Sequence, residues 1–198
     1  YFNKLFYIYM WYENGVIYWW SEALNPKLNT NASQMFRRLN SLTDISGLAY
    51  FDTSDTTSFE VLFGDCYALS DLDALKNWNV TNVSTMNQLF INNRSLINVD
   101  KISNWNTSKV EYMNRLFEGC TSLTSMEGIS NWDVSYVQQV MYLFNNCSSL
   151  TSIDFGNLSL SRASNAAEML TGTTSLTRIR TPKAMRSTLT ITLPTTFY

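Results

Sequence analysis

Carboxylates at one position of a repeating unit are the residues of this chain best placed to do chemistry. One column, read at near-constant intervals, runs Ser46, Asp73, Asp100, Glu127 and Asp154 and ends on Arg180; Asp44 and Asp71 stand two residues earlier in the first two units. At a strand-like separation of about 5 Å, neighbouring acids oppose each other by on the order of 1 kcal/mol in water. Such a row attracts cations. Calcium needs several oxygens converging at once, and a straight row converges poorly, so a basic patch on a partner protein suits it better than a metal. The plainer alternative is a polar position that faces solvent. Asp44, Asp71, Asp73, Asp100, Glu127 and Asp154 are therefore the candidate ligand-binding residues, with no metal and no cofactor expected.

Little in the chain supports catalysis. There is no His among the 198 residues, which removes the usual general base and the Ser-His and Cys-His nucleophile pairs. Cys66, Cys120 and Cys147 recur at a single position of the unit. Inward-pointing parallel thiols rarely meet disulfide geometry, so they read as buried packing residues. No glycine-rich phosphate loop accompanies the acids. The chain is expected not to be an enzyme.

What positions the acids is a repeat. Phe36, Phe63, Phe90, Phe117 and Phe144 are each 27 residues apart, and Leu42, Leu69, Leu96, Leu123 and Leu150 follow them at six. A fixed period in this range is the mark of units too small to fold alone that share an elongated core. Within a unit, Val83, Met86, Leu89 and Phe90 recur at three- and four-residue steps, which predicts a two-turn amphipathic helix. Ser54, Thr81, Ser108, Ser135 and Ser161 precede these segments as expected N-caps, and Ser108 with Glu111 and Ser135 with Gln138 resemble capping boxes. Leu123, Met126 and Ile129, with their counterparts, predict short strands. A sixth unit is one residue shorter, so Gly47, Ala74, Lys101 and Gly128 occupy an extra position where a bulge is expected. Trp78, Trp105 and Trp132 read as core.

The ends differ from the repeat. Ile8, Met10 and Tyr12 alternate into Asn14-Gly15 and Val16, Tyr18 and Trp20 alternate out, a strong hairpin signal. An aromatic-rich hairpin would cover the open first unit, its rival reading being an aromatic binding surface. Alternation over residues 189–193 predicts a closing strand. The expected fold is an α/β repeat solenoid, a leucine-rich-repeat-type stack of short parallel strands and short helices with an N-terminal β-hairpin cap and a C-terminal strand cap. Its domains would be a capping hairpin over 1–31, a solenoid of about six units over 32–181, and a C-terminal cap over 182–198. Lys and Arg number 14 against 16 Asp and Glu, so nucleic acid is not an expected partner. No long apolar run or basic-then-apolar leader occurs, so neither membrane insertion nor a signal peptide is expected, and the Tyr1 start suggests a trimmed segment.

The phrases Met113-Asn114-Arg115-Leu116-Phe117-Glu118-Gly119-Cys120-Thr121-Ser122-Leu123 and Ser130-Asn131-Trp132-Asp133-Val134-Ser135 resemble the BspA-like leucine-rich repeats of bacterial surface proteins. The resemblance covers about residues 32 to 181. It implies an extracellular, cell-surface or wall-attached bacterial protein with no catalytic site that adheres to a protein or glycan ligand, basic or host-derived; the chain is expected to be a monomer that presents its exposed strand face to that ligand. A rigid spacer in a larger wall-anchored protein is the alternative. Most units here are one residue longer than the family's usual pattern, so no particular ligand is carried over.

Overall fold

In a computed structural model, residues 8–194 are described. Strand β1 (Ile8–Glu13) pairs antiparallel with β2 (Val16–Ser21), Tyr9 opposite Trp20 and Trp11 opposite Tyr18. Asn14 and Gly15 join them at φ 50° and 83°, the left-handed pair that a tight two-residue hairpin needs. The inner face of the hairpin meets the repeats. Ile17 is buried, the Gly15 carbonyl accepts from Thr43 and Asp44 N–H at 2.8 and 3.1 Å, and the Trp19 indole donates to the Gly47 carbonyl at 2.7 Å.

The expected α/β leucine-rich-repeat-type solenoid is not what forms. Among the described residues there is no α-helix, and the only strands are short ones in three separate two-stranded sheets, with most of the chain in turns and loops. Where helices were expected, the backbone divides its hydrogen bonds in alternation. Met86, Gln88, Phe90 and Asn92 donate to the carbonyls of Tyr112, Asn114, Leu116 and Glu118 in the next repeat, at 2.9, 2.8, 3.0 and 2.6 Å. Leu89, Ile91 and Asn93 donate instead to Met86, Gln88 and Phe90, three residues back. No i to i−4 ladder is left to make a helix. Two left-handed residues per unit enforce this path: Gln88 and Asn92 lie at φ 59° and 60°, as do Gln34, Val61, Arg115, Tyr142 and Glu168 in one column and Arg38, Asp65 and Asn146 in the other, between 51° and 64°. Each costs an L-residue roughly 1–2 kcal/mol, which the inter-repeat hydrogen bonds and the burial beneath them must offset.

The expected N-caps are reversed in role. The hydroxyls of Ser54, Thr81, Ser108 and Ser135 cap nothing; their backbone N–H groups donate to the side chains of Asp52, Asn79, Asn106 and Asp133 at 2.9, 3.0, 3.2 and 3.0 Å. These are Asx turns. The supposed capping boxes dissolve as well, since Gln138 Nε2 donates to Glu111 Oε2 across the repeats at 2.8 Å.

The expected strands are mostly tight turns. Ser46–Tyr50, Asp73–Leu75, Asp100–Ile102 and Glu127–Ile129 are 3-10 helices, and the extra residue at Gly47, Ala74, Lys101 and Gly128 is wound into them rather than bulged from a strand. In the unit that lacks it, the same segment is β3 (Ser152–Asp154), paired in parallel with β5 (Arg178–Arg180). Next to it β4 (Ser159–Leu160) pairs in parallel with β6 (Ala184–Met185). Residues 189–193 form no strand, and residues 1–7 and 195–198, which share the expected caps, lie outside the described residues.

One apolar core runs from Ile17 to Leu189. Phe36, Phe63, Phe90, Phe117 and Phe144 stack ring on ring with centroids 5.3, 6.0, 5.9 and 5.7 Å apart. Trp78, Trp105 and Trp132 are buried, and each indole donates to a carbonyl 30 residues earlier. The thiols of Cys66, Cys120 and Cys147 are free and buried, and donate to the carbonyls of Phe36, Phe90 and Phe117 at 3.1, 3.2 and 3.0 Å.

Candidate functional site

The six candidate carboxylates divide by local role. Asp44 and Asp71 stand just ahead of a 3-10 helix, and each accepts the N–H two residues on: Ser46 to Asp44 Oδ1 at 2.7 Å, Asp73 to Asp71 Oδ1 at 2.9 Å. Asn98 and Ser125 do the same for Asp100 and Glu127 at 3.3 and 3.0 Å. Since neutral side chains serve equally at that position, the charge of Asp44 and Asp71 is not what the turn requires. The Ser46 backbone N–H holds the Asp44 carboxyl below the usual carboxylate range.

Asp73, Asp100 and Glu127 open their 3-10 helices and face solvent. They are not equally unpaired. Asp73 Oδ1 accepts from Lys101 at 2.9 Å and Oδ2 from Lys76 at 3.0 Å, and Lys101 also feels the fields of Asp71 and Asp100. Both ammonium groups lower the Asp73 carboxyl, Lys101 foremost. Asp154 Oδ1 accepts the Gly156 N–H at 2.7 Å, which depresses it most, while Arg180 reaches Oδ2 at 3.4 Å. Glu127 forms no ion pair within 4 Å among the described residues.

Two shallow depressions result. Asp44, Asp71 and Asp73 line one of about 200 Å³ together with Thr43, Ser46 and Ala49. Glu127 and Asp154 line another of about 140 Å³ with Arg178 and Arg180. The first is acidic; the second carries both signs. Asp100 belongs to neither, and among the described residues no group of three or more potential ligands could hold a metal ion. The row is thus not a bare acidic ladder. Lys76 and Lys101 were visible in the chain, but only the inter-repeat geometry shows that Lys101, at the extra position of its unit, reaches back to the preceding acid.

Sequence reasoning gave less weight to the outer face of the hairpin. Tyr9, Trp11, Tyr18 and Trp20 are all exposed there, Trp11 stacked on Tyr18 at 5.5 Å and Tyr9 tilted against Trp20 at 5.8 Å. The alternation of β2 marked Tyr18 and Trp20, but that of β1 marked the opposite face, so Tyr9 and Trp11 join them only through the strand pairing.

No helix among the described residues is long and apolar enough to cross a membrane. No curated protein and no solved structure matches the chain. The family model described as "Mycoplasma protein of unknown function, DUF285" matches residues 20–98 and again 57–181. Those two stretches together span most of the repeats, and the chain belongs to the DUF285 family.

Proposed function

We propose that the chain is a non-enzymatic recognition module of the bacterial cell surface, akin to the BspA-like surface proteins its repeat phrases resemble, and that it binds a protein or glycan ligand through the exposed acidic row. The observation that carries the reading is the presentation of Asp73, Asp100 and Glu127 at the first position of successive 3-10 helices. The indole N–H groups of Trp78, Trp105 and Trp132, donating to the carbonyls of Leu48, Leu75 and Ile102 in the preceding repeat, tie each turn to the next unit. Fixed spacing of exposed charge is a means of selecting a complementary basic surface, and such a surface needs neither a cofactor nor a metal.

The rival reading, a rigid spacer in a longer wall-anchored protein, draws on the uninterrupted core and on the use of Asp44 and Asp71 as turn acceptors. Binding of the folded chain to cells and to extracellular-matrix proteins separates the two. Charge reversal of Asp73, Asp100 and Glu127 together is expected to abolish binding while leaving thermal unfolding nearly unchanged. Undiminished affinity removes the row as the site, and absence of any binding by the folded chain favours the spacer.

A further inference from the structure

We infer that the outer face of the N-terminal hairpin is a binding platform for a neutral, β-linked oligosaccharide, distinct from the acidic row. Antiparallel pairing sets Tyr9 against Trp20 and Trp11 against Tyr18, so four aromatic rings share one face of β1 and β2. Their residues are 58%, 54%, 49% and 41% exposed, in the order Tyr9, Trp20, Trp11, Tyr18. The opposite face already fulfils the hairpin's structural task, through buried Ile17 and the partly buried Ile8, Met10 and Trp19 packed on the core. Covering the first repeat does not need the outer rings.

The polar atoms of these rings separate them from the structural aromatics. The chain has six Trp. Trp19, Trp78, Trp105 and Trp132 each donate the indole N–H to a backbone carbonyl at 2.7 to 3.0 Å. Trp11 and Trp20 have no such acceptor among the described residues, nor do the hydroxyls of Tyr9 and Tyr18 make a hydrogen bond there. The face therefore offers flat apolar rings with unused donors at their edges. A sugar with equatorial hydroxyls presents the complement, an apolar C–H face for the rings and hydroxyls at its rim for the indole N–H and phenol groups.

Size and charge select among occupants. An aromatic side chain carries about 200 Å², so four half-exposed ones leave roughly 400 Å², about half of the ~800 Å² per partner that a stable protein interface buries. A second copy is poorly served by that area, whereas a few sugar units are well served. Neither strand contains Lys or Arg, and Glu13 ends the face, whereas helices and anchors that lie on anionic membranes carry basic residues. An anionic glycan is disfavoured on the same ground.

The test titrates the whole chain with cellohexaose and with chitohexaose, following the indole N–H resonances. Saturable shifts of the Trp11 and Trp20 signals with either sugar, the other four indoles staying fixed, are expected. In W11V/W20V, with an unchanged far-ultraviolet spectrum, affinity is expected to fall at least tenfold; the wild-type resonances decide the matter if that variant does not fold. No shift with either sugar at millimolar concentration overturns the proposal. So does sedimentation with phosphatidylcholine–phosphatidylglycerol vesicles, or self-association, that perturbs Trp11 and Trp20 while the sugars do not. Because the acidic-row variant D73K/D100K/E127K retains this face, loss of ligand binding in that variant together with intact sugar shifts tells failure of one site from failure of the other.

Discussion

Lys101 donates to Asp73 Oδ1 at 2.9 Å from 28 residues further along the chain, while Lys76 donates to Oδ2 of the same carboxylate from within its own unit. One acid thus ties a repeat to its successor, in the open. The side chains of Lys101 and Asp73 are 51% and 45% exposed, and pairs so solvated contribute little to stability. K101A is therefore expected to lower the midpoint of thermal unfolding by no more than about 4 °C, and less at high salt, where exposed charges are screened. A larger, salt-insensitive loss would show that the pair carries more of the inter-repeat contact than its exposure allows.

Stability is expected to fall in acid by a defined route. Hydrogen bonds from Ser46, Ser54 and Gly156 depress Asp44, Asp52 and Asp154, the hydroxyl and N–H of Ser135 depress Asp133, and Lys101 depresses Asp73. A carboxyl whose folded value is lowered stabilises fully above its unfolded value of about 3.9, and that contribution is lost as pH falls through the folded value. Asn79 and Asn106 fill the same turn position as Asp52 and Asp133 without a charge. D52N/D133N should thus be less stable than the wild type at pH 7 and lose less stability between pH 5 and pH 2.5, the two proteins converging in acid. Equal losses in the two proteins, by denaturant titration at each pH, would contradict the assignment.

The three thiols are expected to be inert while the chain is folded. Burial pushes Cys66 and Cys120 up to about 12 and raises Cys147 well above its ordinary value, so thiolate, the reactive form, is scarce at pH 8. Titration with a chromogenic disulfide reagent should release no signal from native protein over minutes and three equivalents after denaturation. Prompt reaction of a native thiol would place that Cys outside the core.

Gly119 occupies a column otherwise held by Arg38, Asp65, Asn92, Asn146 and Gly172, all at positive φ. At Gly119 the φ is 72°, and a Cβ would collide with Asn92 Oδ1. Asn92 is itself engaged, donating to Asp65 Oδ1 at 2.9 Å. G119A combines left-handed strain of roughly 1–2 kcal/mol with displacement of that amide. A fall in unfolding midpoint of several degrees is expected; no change would mean that Asn92 can swing aside freely.

Which residues are buried was legible from the spacing alone, because a 27-residue period puts the same side chain at the same place in every unit. The Phe, Leu, Trp and Cys columns could be named as core before any geometry was known, and the Asn14-Gly15 turn follows from the left-handed preference of those two residues. The acidic column was equally visible, but not its company: Lys101 and Arg180 pair with acids of the preceding repeat, which depends on how the units lie against one another.

What the sequence could not decide was where the backbone N–H groups go. Apolar residues at Val83, Met86, Leu89 and Phe90 fit one face of a helix, yet a chain of turns that alternately donates across to the next unit buries the same set. The two differ in the sign of φ at Gln88 and Asn92, and Gln is an ordinary helix residue, so nothing local at that position announces a left-handed turn. Sequence alone determined the period, the buried columns and the exposed acids. Tertiary structure decided helix against turn, because hydrogen bonds to a neighbouring repeat exist only once that repeat is in place, and they compensate a backbone conformation that one unit by itself would not hold.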